Sequence, residues 1–233
     1  MSITYRIKAL LGYDASELDT EVHKKNQMKI IHHYLQNNTE RKLQVGAQGS
    51  PMKAWLNVDI LPKTADTAYM DATKRFPFEE NIFSYIFAEH MIEHITYDEG
   101  QFMLRECFRV MKPNGVIRLA TPNLDKISEI LKNPEKEEYR NYIQLYVERF
   151  YGKDYPIIPA LQINKLFYGF HHRFIHNFES LSFILEQAGF KNIIQREVYQ
   201  SEHSALQNLE KHAGMMGEEN NQIETFVVEA MKM

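Results

Sequence analysis

FSYIFAEHMIEHITYDEGQFMLRECFRVMKPNGVIRLA, residues 83–120, contains one complete unit of alternating structure. Phe83 to Ala88 is β-prone and nearly continuous in apolarity, as expected of an inner strand of a parallel sheet covered on both faces. Thr96-Tyr97-Asp98-Glu99 spells a capping box. Phe102, Met103, Cys107, Phe108 and Met111 then recur on one helical face until Lys112-Pro113-Asn114-Gly115 stops the run. Val116 to Ala120 reads as the next strand, closed by Thr121-Pro122. Strand, helix and strand at this spacing form a βαβ unit.

The same alternation extends outward from this unit. Upstream, Leu43–Val45 is a short apolar run feeding Gly46-Ala47-Gln48-Gly49-Ser50-Pro51, the pattern of a buried strand entering a tight turn. Trp55–Ile60 and the weaker Thr67–Met70 are two further strands, ending near Asp59 and Asp71. Asp14 to Leu35 has apolar residues at helical spacing and predicts one or two helices. Downstream, Asn177–Ala188 reads as a capped helix ending at Gly189, with strands at Ile193–Tyr199 and Ile223–Met231. The alternation breaks between 132 and 176, where Tyr139, Tyr142, Tyr146 and Phe150 lie at helical spacing ahead of a proline-containing stretch. The Tyr stripe reads as core. The expectation is one α/β domain over 1–233 with a doubly wound, mostly parallel seven-stranded Rossmann-like sheet. It carries an N-terminal helical segment (1–40) and, after the fifth strand, a helical insertion (132–176) that acts as a lid.

Composition narrows the function. Hydrophobic residues at 44% and charged residues at 25% exclude a disordered chain and a membrane protein. A net charge of −4 offers no basic face to a nucleic-acid backbone. The single Cys107 excludes an intramolecular disulfide and fits a reducing compartment; its mid-helix place on the apolar face reads as packing. With no signal-like opening run and no candidate membrane span, the expected location is cytoplasmic. Composition says nothing of oligomeric state.

Residues just after strands matter most in an open parallel sheet, because ligands bind beyond the carboxyl ends of the strands. Gly46 and Gly49 follow the first strand, Asp59 closes the second, Asp71 closes the third, and Glu89-His90 follow the fourth. Small residues let the backbone approach a ligand, and N–H groups at a helix start can receive a carboxylate. An acid at the end of the second strand can accept both hydroxyls of a ribose.

The runs VGAQGSPMKAWLNVDI and MDATKRFPFEENIFSYIFAEHMIEHITYDEGQFMLRECFRVMKPNGVIRLATPNL resemble the class I S-adenosylmethionine-dependent methyltransferases, particularly small ones of glycan-related contexts. The likeness resumes at HHRFIHNFESLSFILEQAGF. It implies S-adenosyl-L-methionine as cofactor. It places Val45, Gly46, Ala47 and Gln48 at the methionyl end, Asp59 with Ile60 at the ribose, and Asp71 with Ala72 beside adenine. Ala88, Glu89 and His90 would line the methyl-transfer pocket. The family usually has glycine where this chain has Gln48, with Gly49 displaced by one. His90 and His172 are the candidate general bases, with Glu89 or Glu93 as orienting partner. The acceptor is expected to be a small molecule or a glycan, not a nucleic acid or a membrane.

Two other readings are weighed against this one. A non-catalytic module could keep the sheet while Gln48 spoils its pocket, but the intact Asp59 and Asp71 oppose that. His90-x-x-Glu93-His94 also spells a zinc-hydrolase pattern, in which two histidines on one helix hold metal. The capping box at Thr96 starts a new helix at once and removes the long metal-bearing one, so no metal is expected. His171, His172 and His176, interleaved with Arg173 and Phe174, read as an aromatic and basic loop beside the lid.

Overall fold

The computed structural model describes residues 15–233, with side chains from residue 21 onward except at 215 and 216. Seven strands form one sheet: β1 (Lys42–Val45), β2 (Leu56–Asp59), β3 (Thr67–Tyr69), β4 (Phe83–Glu89), β5 (Met111–Pro122), β6 (Lys191–Arg196) and β7 (Thr225–Met231). Their order is β3-β2-β1-β4-β5-β7-β6. The five strands from β3 to β5 are mutually parallel, and β7 runs antiparallel to both β5 and β6. Helices lie on both sides of this mostly parallel, Rossmann-like sheet.

Eight helices accompany the strands among the described residues: α1 (Ala15–Asn37), α2 (Tyr97–Val110), α3 (Leu124–Lys132), α4 (Glu137–Phe150), α5 (Pro159–Tyr168), α6 (Phe178–Ala188), α7 (Ala213–Met216) and α8 (Glu218–Glu224). None is long and apolar enough to cross a membrane. The segment from Asp14 forms one helix, although Asp14 itself lies outside the described residues.

One apolar core joins Ile31 and Tyr34 of α1, Met103, Leu104 and Cys107 of α2 and Leu181, Ile184 and Leu185 of α6 to Leu43, Val58, Ile86 and Ile117 of the sheet. Each such side chain taken out of water contributes about 1.5–3 kcal/mol. The alternate face of β4 and β5, at Phe87 and Val116, is covered by Met52, Trp55 and Leu206 from irregular segments. No helix stands between β1 and β2, β2 and β3 or β3 and β4. The expectation that a helix start presents N–H groups behind Gly46 and Gly49 is therefore corrected. A ten-residue loop rich in turn formers, too short for a crossover helix, follows β1 instead.

Thr96 caps α2 through its hydroxyl while Glu99 returns to the Thr96 N–H, so the predicted capping box is formed. Asn177 does the same for α6, which ends on Gly189 in the left-handed conformation at φ 107°. The Lys112–Gly115 run does not separate helix from strand as expected. β5 starts at Met111, which pairs with Phe83, and the run bulges out before Val116 pairs with Tyr85. Asn114, at φ 63°, turns that bulge. The sixth strand is also shifted, to 191–196, and the seventh begins at Thr225 because α8 occupies the residues before it.

The insertion has an apolar core of its own. Tyr139, Tyr142, Tyr146 and Val147 of α4 pack on Ile127 and Ile130 of α3 and on Ile163 and Leu166 of α5. The predicted Tyr stripe is thus buried at its first three members, and Phe150 packs at its margin.

Candidate active site

From β1 the chain runs outward through β2 and β3, then returns to lay β4 on the other side of β1, so strand order reverses between β1 and β4. Ligands of open α/β sheets sit beyond the carboxyl ends at such a point. A cleft of about 450 Å³ opens there, within the range of roughly 300–1,000 Å³ typical of small-molecule sites. Its walls are the Gly46–Gln48 turn, the residues Glu89, His90, Glu93 and His94 after β4, and Tyr146, Phe150, Phe170 and His172 from the insertion.

The turn after β1 is built for close approach. Gly46 has φ 77°, and a Cβ placed there would come within 2.6 Å of Met91 Cγ. The Gly46 and Ala47 N–H groups both donate to Val58 O at 3.0 Å, which draws the turn against β2. Gln48 adopts the left-handed conformation at φ 46°, which glycine adopts without cost. Asp59 is buried; its Oδ2 accepts the Gln48 N–H and its Oδ1 the Leu61 N–H, each at 2.7 Å. Each carboxylate oxygen has a second lone pair, so the acid at the end of β2 retains capacity for ribose hydroxyls. A glycine-led turn facing a cleft, with an acid directly behind it, fits S-adenosylmethionine.

The other predicted contacts are placed unevenly. Val45 and Ala88 are buried in the core and do not line the cleft. Ile60 is half exposed. Asp71 is spent locally, accepting the Thr73 N–H at 2.9 Å and the Thr73 hydroxyl at 2.7 Å, and Ala72 packs against the core. Asp59, Ile60, Asp71 and Ala72 do not line the cleft as the chain now stands. Glu89 does line it, with its carboxylate capped by the N–H groups of Lys211 and His212 at 2.8–3.0 Å.

A dense cluster of histidines and acids forms the cleft floor. His90, at φ 45°, has Nδ1 3.1 Å from Glu93 Oε1 and Nε2 3.0 Å from Thr225 Oγ1. The Thr225 hydroxyl donates to Asn221 Oδ1, so its oxygen accepts from His90. His90 thus donates from both nitrogens and has no lone pair turned to the cleft. Burial opposes its charge, but the Glu93 hydrogen bond and the charges of Glu93, Glu224 and Glu89 raise its pKa. Burial likewise opposes the Glu93 charge, and the His90 bond with the nearby histidines overrides it, holding Glu93 at about 2. Thr121 donates its hydroxyl to Glu93 Oε2 at 3.0 Å. The zinc-hydrolase arrangement of His90, Glu93 and His94 is absent: Ile92–His94 is one 3-10 turn, and His90 precedes it with its ring committed to Glu93.

His172 lies on the opposite wall, its ring edge-on to His94 with centroids 4.8 Å apart, and burial lowers its pKa. His176 is buried away from the cleft, held down at about 4 by its burial. His171 lines the rim. Sequence reasoning missed His212 and Glu224. The His212 ring stacks on His90 at 3.8 Å and reaches Glu224 at 3.7 Å, while Glu224 accepts the Tyr142 hydroxyl at 2.7 Å and the Tyr146 hydroxyl at 3.3 Å. The Tyr stripe was a usable signal for a buried hydroxyl acceptor. Glu224, a lone acid before a strand, gave no sign of being that acceptor.

Residues 47–119 match the family model of the methyltransferase domain, a segment running from the turn after β1 into β5. No curated protein matches the chain. Among solved structures it is similar to an S-adenosylmethionine-dependent methyltransferase of Thermotoga maritima, with 16% identity over 93% of this chain and 94% of that one and a TM-score of 0.47. A similar enzyme of Archaeoglobus fulgidus shows 15% identity over 91% and 94%, with a TM-score of 0.47. Phosphoethanolamine N-methyltransferase 2 of Haemonchus contortus, solved with S-adenosyl-L-methionine, shows 15% identity over 89% of this chain and 52% of that one, with a TM-score of 0.44. The matched segment coincides with the strands and turns that frame the cleft, and over those residues the chain is similar to a methyltransferase domain.

Proposed function

We propose that the cleft carries a methyl group from S-adenosylmethionine to a small-molecule acceptor held under the insertion. The observation that supports this most is the facing of two unlike walls across one 450 Å³ space: the Gly46–Gln48 turn on the sheet and the aromatic and imidazole side chains Tyr146, Phe150, Phe170 and His172 on the insertion. When bound, S-adenosylmethionine supplies an electrophilic methyl group on a sulfonium. Gly46 and Ala47 give the methionyl end backbone at close range, and Asp59 receives the ribose. For Asp59 the ligand must draw the Gln48–Leu61 loops outward, since the carboxylate now lies behind the turn. Asp71 with Ala72 would then border adenine. The insertion orients the acceptor and excludes water, which is the main demand of a transfer that is intrinsically downhill. His172 faces the acceptor. His90, doubly hydrogen-bonded, fixes Glu93 and sets the field at the cleft floor.

A cleft of this size closed by aromatics suits a compact acceptor or the terminal unit of a glycan, and it leaves no track for a polymer. Incubation with methyl-tritiated S-adenosylmethionine and cell extract divided by dialysis tests this. Label is expected in a small-molecule or glycan product resolved by chromatography from unreacted S-adenosylmethionine; label confined to nucleic acid or protein would overturn the acceptor class.

A further inference from the structure

The cleft contains two groups of side chains whose potential ligand atoms lie within 4.8 Å of one another: His90, His212 and Glu224, and Glu93, His94 and His172. The first is occupied with itself. Both nitrogens of His90 are hydrogen-bonded, its ring lies face to face on His212, and Glu224 is held by the Tyr142 hydroxyl. Lone pairs of stacked rings run parallel and do not converge on a point.

The second group is arranged differently, although His212 Nε2 of the first is, like His172 Nδ1 of the second, buried without a hydrogen-bond partner among the described residues. The His94 and His172 rings stand edge-on at 75°, with one nitrogen of each within 4.8 Å of the other and of a Glu93 oxygen. His172 Nδ1 is buried without a hydrogen-bond partner among the described residues, a position that costs free energy unless something fills it. Glu93 is fully buried, and its two oxygens are steadied by His90 Nδ1 and the Thr121 hydroxyl, each leaving a lone pair. Orientation of a ligating carboxylate by outer partners is characteristic of metal sites. Three protein ligands of the His-His-Glu kind suit a divalent transition ion with open positions, zinc foremost. All three residues line the cleft.

We propose that Glu93, His94 and His172 bind one divalent transition-metal ion such as Zn²⁺, whose open positions face the acceptor end of the cleft. This departs from the expectation formed on the sequence, which weighed His90, Glu93 and His94 as a metal set, expected no metal, and placed His172 with Glu93 only as a base and its orienting partner. Ligand atoms up to 4.8 Å apart must draw together by about 1–1.5 Å to reach bonds of about 2.0–2.2 Å, a movement the insertion that carries His172 can supply. The site adds to the proposed acceptor pocket and rests on it only for its role, not for its existence.

Titration of the metal-stripped full chain with Zn²⁺, and with Co²⁺ followed by visible absorption, tests the proposal. One ion per chain is expected. His94→Ala and His172→Ala should each weaken binding at least about 100-fold, and Thr121→Val about 10-fold through loss of the outer partner. His203→Ala, outside the cleft, should leave binding unchanged. Circular dichroism and S-adenosylhomocysteine affinity, measured on every variant, report folding and the cofactor site separately from the metal. Failure of the wild-type chain to take up an ion, or unchanged binding in both folded histidine variants, would overturn the metal site. Stoichiometric metal uptake without any S-adenosylhomocysteine binding would overturn the methyltransfer reading instead.

Discussion

Gly46 shows how one residue constrains the site. Its left-handed φ and the 2.6 Å approach of a notional Cβ to Met91 leave no room for any side chain. Gly46→Ala combines backbone strain with a collision, and should cost about 1–3 kcal/mol of stability. It should also weaken S-adenosylhomocysteine binding, because the turn must shift to relieve the clash. Urea denaturation paired with calorimetry checks both, and a variant as stable as the wild type would show that the turn is soft. Gln48 makes the opposite point. The sequence marked it as a departure from a family glycine, and the backbone there is left-handed even so. Its N–H is held by Asp59, so the loop keeps its shape at the strain cost of one non-glycine residue, on the order of 1–2 kcal/mol.

At the scale of elements, legibility followed the range of the interaction. The strand cores at 43–45 and 83–88 and the caps at Thr96 and Asn177 were readable because each is decided by neighbours a few residues apart. The 112–115 bulge was not, since the same residues end a helix or bulge a strand depending on what lies across the sheet. The Lys232 carbonyl accepts the Asn114 N–H at 2.7 Å from more than a hundred residues away. The cleft floor was half legible for the same reason. Glu89, His90 and Glu93 follow a strand and announce themselves, whereas His212 and Glu224 arrive through the β7 return. The insertion is a separate layer, resting on its own core and joined to β7 through Glu224 and the two tyrosines. The proposed lid role requires it to open more readily than the sheet. Amide exchange in 151–170 is expected to be faster than in β4 and β5, and to slow when S-adenosylhomocysteine is added. Equal protection throughout, unaffected by ligand, would make the insertion a fixed wall.

Across the whole molecule, the reversal of strand order between β1 and β4 decides where chemistry takes place. It opens the sheet at its carboxyl edge, and the turn after β1, the histidine floor after β4 and the insertion after β5 all converge on that opening. The antiparallel β7 lies between β5 and the edge strand β6, carrying Glu229 to the fully buried Arg118 at 2.7 Å while Glu210 meets the same guanidinium at 2.6 Å. That pair of bonds ties the segment beside the cleft, from which Lys211 and His212 emerge, to the middle of the sheet. The central claim is that this opening holds S-adenosylmethionine through the turn and Asp59. Isothermal titration of S-adenosylhomocysteine into the wild-type chain and into Asp59→Ala tests it directly. One site per chain is predicted, with affinity at least about ten-fold lower in a folded Asp59→Ala, the loss of one charge-assisted hydrogen bond of about 1.5–3 kcal/mol. Absence of binding to the wild type, or equal affinity in the two proteins, would contradict the account.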